Sequence, residues 1–169
     1  MRTRIARISF AVVCALAGAS HSALAGQQPK YGVSVKASKP SAIAKAKTYA
    51  WTISQPSFNK EADRQIIAAV DKELQARGLT KAAAGGDLAV TYASMSRTDV
   101  DVKSKGKDGQ LLQYAVGTLV VDVRNPANKQ SLFRVRMDTP ITTSDPKAFE
   151  AEINAAVAAM FEKYPGPPK

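Results

Sequence analysis

The sequence predicts an α+β fold: an antiparallel sheet of four or five strands with two helices packed on one face. The expected order is β-α-β-β-β-α, with an extra edge strand possible at the N-terminal side. Two stretches carry apolar residues at helical spacing behind a capping residue, and four alternate apolar with polar residues. The last three strands are separated by glycine- or proline-containing turns, which implies consecutive hairpins and hence antiparallel pairing.

The chain begins with Arg2, Arg4 and Arg7, continues through the apolar run Ile8 to Ala17, and reaches small residues at Ala23 and Ala25. This three-part pattern predicts a cleavable export signal over residues 1–25, with the cut between Ala25 and Gly26. The run is too short and too interrupted for a membrane span, which needs about 20 apolar residues. Cys14 follows Val13, where a lipobox wants a small residue, so outer-membrane lipid anchoring is not expected. The chain's one cysteine and its one histidine, His21, both leave with the leader. So do three arginines, which leaves seven of the ten net positive charges on the exported part. The expected location is the periplasm, with no transmembrane helix in the mature chain.

Residues 26–46 are polar and rich in Lys, Ser, Ala and Pro, and read as a partly flexible lead-in whose alternating Tyr31, Val33 and Val35 could pair as an edge strand. A single domain is expected over 47–165, followed by a disordered tail at 166–169. Its first strand places Tyr49, Trp51 and Ile53 on one face. Asn59 is a good N-cap, Glu61 and Asp63 suit a first helical turn, and Ile66, Ile67, Val70 and Leu74 form the buried stripe. Gly78 is placed for a left-handed stop, with Leu79 reaching back to Leu74.

Gly85, Gly86 and Asp87 turn the chain into a strand with Leu88, Val90 and Tyr92 on one face. The polar segment from Arg97 to Gly109, which includes Lys103, Lys105 and Lys107, reads as a long flexible hairpin loop. Leu111 to Val123 is the strongest strand. Asn125 to Lys129 has hairpin-turn chemistry, and Phe133, Val135 and Met137 then alternate against Arg134, Arg136 and Asp138. Asp145 and Pro146 open the last helix, whose stripe is Phe149, Ile153, Val157 and Met160.

Several of these segments together are similar to a known family. Lys47-Thr48-Tyr49-Ala50-Trp51, Ile67-Ala68-Ala69-Val70 through Arg77-Gly78-Leu79, and Asp87 to Tyr92 follow its order. Gly117 to Val123 and Met160 to Pro165 continue it. The chain resembles the domain of unknown function 4136 family, small bacterial cell-envelope proteins that are often lipoproteins. The resemblance implies an envelope location and an α+β fold and brings no catalytic residues. The chain departs from the family's pattern in lacking a lipobox, in Asn125 where an acidic turn residue is usual, and in Phe133 where tryptophan is common.

With neither histidine nor cysteine after the leader, a Ser-His-Asp triad, a thiol nucleophile and the usual zinc sites are excluded. Ser57 and Lys60 have Ser-x-x-Lys spacing, but the companion motifs of that enzyme class are missing. Asp99 with Asp101, and Glu150 with Glu152, read as solvated charge rather than an acid–base pair. No glycine spacing suits a phosphate loop, and no cofactor is expected. The expectation is therefore a non-catalytic protein that binds an envelope protein, or an anionic envelope lipid or glycan. The candidate contacts are Arg97, Lys103, Lys105, Lys107, Arg134 and Arg136. Nucleic acid is not an expected partner, since the basic segment lacks aromatics for stacking.

Overall fold

The computed structural model describes residues 31–52, 55 and 59–166. The Ala25–Gly26 junction, Ile53, Ser57 and the tail beyond Gly166 lie outside these. The elements are β1 (Gly32–Ser38), α1 (Pro40–Ile43), β2 (Thr48–Trp51), α2 (Lys60–Ala76), β3 (Thr80–Lys81), β4 (Leu88–Lys105), β5 (Leu111–Arg124), β6 (Ser131–Pro140) and α3 (Pro146–Phe161). The fold is α+β, with one six-stranded sheet in the order β1-β6-β5-β4-β2-β3.

The sheet is mixed, which corrects the expected all-antiparallel sheet of four or five strands. β1, β6, β5 and β4 are antiparallel neighbours, while β2 pairs in parallel with both β3 and β4. The reason is the connection: a helix joining two strands of one sheet returns the chain to its starting end, so they run the same way. β3 is too short for alternation to reveal. Gly86 lets this side close up, because a Cβ there would sit 2.6 Å from the Tyr49 carbonyl carbon.

Both long helices start as their caps dictate. The Asn59 side chain accepts from the backbone N–H of Glu61 (2.9 Å) and Ala62 (3.3 Å), and the Asp145 side chain accepts from Ala148 N–H (2.9 Å). α2 stops at Gly78, whose φ is +84°, and Leu79 N–H donates to the Leu74 carbonyl at 3.2 Å. The two helices cover one sheet face, where Tyr49, Val70, Leu74, Val90, Val121, Phe133, Val135, Met160 and Phe161 are buried together. Arg77 ties the far ends of the helices, donating to the Phe161 carbonyl at 2.7 Å and lying over the Phe161 and Tyr164 rings.

The segment 26–46 is structured from Gly32 onward, which replaces the reading of most of it as a lead-in. β1 closes one edge of the sheet against β6, and the one-turn helix α1 seats Ile43 in the core. Nor is the segment from Arg97 to Gly109 a loop. β4 runs on to Lys105, and a tight turn follows in which Gly106 N–H donates to the Gln110 carbonyl (2.8 Å) and Gly109 takes φ +78°. The alternating Thr98, Val100 and Val102 suit a strand, and this preference prevails over the polar residues between them.

Candidate functional site

β5 pairs with β6 only as far as Val116 opposite Pro140, and the contacts of β4 with β2 and Gln55 end at Ser94. Beyond those points β4 and β5 project as a two-stranded arm, paired from Arg97–Val116 to Asp101–Leu112 and closing at Lys105–Leu111. Exposed large apolar side chains gather there: Val100, Leu111, Leu112, and Val102 at 74% exposure, with Met95 near the base. Lys103 and Lys105 lie on the last turns of β4, and Lys107 lies in the tip; all three are exposed and form no ion pair among the described residues.

At the base of the arm, on the helix side, lies an apolar cleft of about 320 Å³. Leu119 and Met137 from the sheet, Ile66 from α2, Phe149 and Ile153 from α3, and Ile141 line it. Phe149 and Ile153 are therefore only half-buried, although sequence spacing assigns them to the same stripe as the buried Val157 and Met160.

The sheet's helix-free face carries two arginine–aspartate clusters. In the first, Arg136 donates twice to Asp138, from Nε (2.6 Å) and Nη2 (2.8 Å). Arg97 Nη1 donates to Asp138 Oδ1 (3.0 Å) and to Thr118 Oγ1 (2.9 Å), and Thr118 Oγ1 donates to Asp138 Oδ1 (2.6 Å). Arg97 Nε reaches Asp99 Oδ1 (3.1 Å), and Tyr31 Oη donates to Asp99 Oδ2 (2.9 Å) and meets Tyr114 Oη. The Arg136 guanidinium, helped by Thr118 and Arg97, holds the Asp138 carboxyl well below the usual carboxylate range. Asp138 and Asp99 in turn hold the Arg97 guanidinium above its ordinary value.

The second cluster is centred on Asp122, 3% exposed. It accepts from Arg124 Nε and lies at 2.8 Å from Arg124 Nη2, receives the Ser131 hydroxyl, and faces Arg134 Nη1 at 3.6 Å. Chemically, both clusters are salt-bridged fasteners across the strands rather than open anion receptors.

The structure therefore divides the residues picked from sequence. Arg97, Arg134 and Arg136 are engaged with aspartates on the sheet face, whereas Lys103, Lys105 and Lys107 stand apart from them at the arm's end. Lys105 lies eight residue steps beyond Arg97, about 26 Å along an extended chain. Asp122 and Asp138 were missed as partners, and the signal was present. Residues two apart on a strand share a face, so Asp122 with Arg124 and Arg136 with Asp138 are spaced to pair.

On the helix side two further acids anchor aromatics. Asp71 accepts from Tyr49 Oη (2.6 Å), Trp51 Nε1 (2.9 Å) and Lys81 Nζ (2.8 Å), and Asp63 accepts from Tyr92 Oη (2.8 Å). Burial, reinforced by these carboxylates, pushes the Tyr49 and Tyr92 phenols far above their ordinary value. Among the described residues no three His, Cys, Asp or Glu side chains gather to hold a metal ion. No described helix is long and apolar enough to cross a membrane.

A six-stranded mixed sheet with two helices on one face, an arm at one end and arginine–aspartate fasteners behind places the chain among two-layer α+β domains. The chain belongs to the DUF4136 family, a domain of unknown function that matches residues 33–166. Among solved structures, the fold is similar to that of PelC from Paraburkholderia phytofirmans, crystallised as a dodecamer. One crystal form superposes with TM-score 0.56 at 12% identity over 81% of this chain and 99% of that one. A second gives TM-score 0.51 at 13% identity over 76% and 93%. A minor lipoprotein from Acinetobacter baumannii gives TM-score 0.47 at 11% identity over 70% and 91%. No curated protein matches the chain in sequence.

Proposed function

We propose that this chain is a non-catalytic protein of the bacterial cell envelope, exported to the periplasm by residues 1–25, that acts by binding an envelope partner through the β4–β5 arm. The observation that carries this reading is the arm itself. Four exposed apolar side chains, Val100, Val102, Leu111 and Leu112, share one two-stranded projection with three lysines. An isolated hairpin is marginally stable in water, so such a projection gains most from a surface that covers it. The leader-like N-terminus supports the location. The engagement of Asp99 with Arg97 and Tyr31, and of Glu152 with Thr142, supports a structural role for acids that an enzyme would need for proton transfer.

The test is capture from envelope extract, comparing the purified protein with a variant in which Val100, Val102, Leu111 and Leu112 are all replaced by threonine. Loss of the captured partner in the variant, with unchanged circular dichroism, is the expected result; equal capture by both removes the reading. A second reading rests on Lys103, Lys105 and Lys107: the arm binds an anionic lipid or glycan. That reading requires binding to fall steeply with salt and to disappear when the three lysines become alanine.

A further inference from the structure

We infer that the arm is a self-association element, in which the open edge of β4 pairs antiparallel with the β4 edge of a second copy about a two-fold axis at Val102. This rests on the reading of the arm as a binding element and names its first occupant. Two observations carry it: the open backbone edge and the order of charges along it.

The edge comes from alternation. Val90 and Tyr92 accept backbone hydrogen bonds from Thr52 and Gln55, and Ser94 donates to Gln55. The next residues of the same parity, Ser96, Thr98 and Val100, direct their backbone groups the same way. No described strand lies there. Between Asp101 and Lys105, which pair with Leu112 and Leu111, a bulge leaves residues 102–104 without a partner in β5.

The charges select the occupant. From Asp99 the sequence reads Asp-Val-Asp-Val-Lys-Ser-Lys, acids first and bases last about Val102. Antiparallel pairing centred on Val102 sets Asp101 opposite Lys103 twice by symmetry, and this pair carries the recognition; Asp99, which falls opposite Lys105, is already held by Arg97 and Tyr31. These are non-hydrogen-bonded pairs, the class in which facing side chains are closest. A shift of two residues, which moves the axis to Asp101 or to Lys103, sets Asp101 against Asp101 or Lys103 against Lys103, so the register is specified. Lysines on an edge strand ordinarily discourage pairing, but here Lys103 meets Asp101 of a second copy. Asp101 also accepts the Lys103 backbone N–H at 2.9 Å, and a carboxylate has about four acceptor sites.

Charge exchange tests this. In Asp101→Lys the facing pairs become Lys–Lys, and in Lys103→Asp they become Asp–Asp. Sedimentation equilibrium should show the purified protein dimerising and each variant alone dissociating about tenfold more readily. An equimolar mixture of the two variants restores opposite charges at both pairs and should recover dimerisation to within about threefold of the unmodified protein. Misfolded variants could not produce that recovery. A monomer at every concentration, an oligomer indifferent to both exchanges, or a mixture no better than its components overturns the inference. If the protein stays monomeric yet the threonine variant still loses its envelope partner, only the self-pairing fails. If the protein stays monomeric and the threonine variant also captures normally, the arm reading fails with it.

Discussion

β4 and β5 are one continuous pair of strands living in two environments. From Leu88 to Tyr92 and from Leu119 to Val123 the pair lies under α2 and α3, with Val90, Val121 and Val123 fully buried. From Val100 to Lys105 and from Leu111 to Gln113 the same ladder continues with Val100, Val102, Leu111 and Leu112 exposed. Local preference and a glycine turn are enough to carry the ladder outward, but burial is what makes a strand costly to disturb. The difference teaches that the inner half holds the fold while the outer half is available for contact.

The strongest challenge to that contrast is a large-to-small change in the inner half. Phe133→Ala, at a side chain packed against Phe161 and Tyr164, should cost about 3–5 kcal/mol in urea unfolding. Asp138→Asn comes next, at about 2 kcal/mol, because it unfastens Arg97, Arg136 and Thr118 at once. It also carries a pH signature. The folded carboxyl sits below its unfolded value of about 3.9, so its contribution is complete above about pH 4 and is lost as pH falls further. The variant should therefore show a flatter loss of stability between about pH 4 and pH 2 than the unmodified protein, as read by midpoints in urea. Asn59→Ala, which deprives two α2 amides of their acceptor, should cost about 1 kcal/mol. At the far end of the scale, Val102→Thr should change monomer stability by less than about 0.5 kcal/mol. A cost there as large as at Phe133 would mean that the arm is part of the core.

Much of the framework was legible in the sequence. Asn59, Gly78, Asp145 and Pro146 mark helix ends whose capping bonds are all present. The β5–β6 hairpin followed from Asn125 to Lys129, where Asn125 and Lys129 close the turn at 2.9 Å. What was not legible depended on partners distant in sequence. β3 contributes two residues whose only signal is their place beside β2. The edge strand β1 was offered by the alternating Tyr31, Val33 and Val35, but the one-turn helix α1 after it, which seats Ile43 in the core, was not. The arm was hidden by its charges, which composition assigns to a loop and alternation assigns to a strand. For the candidate contacts, composition could count arginines but could not show that Asp122 and Asp138 already hold Arg124, Arg134, Arg136 and Arg97.

The chain has a single tryptophan, and its position has an optical consequence. Trp51 sits on β2, donates its indole N–H to Asp71 of α2, and meets the Tyr92 ring edge-on at 5.9 Å. Its emission therefore reports whether α2 has docked on the parallel strands, and it is far enough from the tip of the arm to remain dark to events there. Each half of the β4–β5 ladder can thus be watched separately: the inner one by intrinsic fluorescence, the outer one by a dye attached near Lys107.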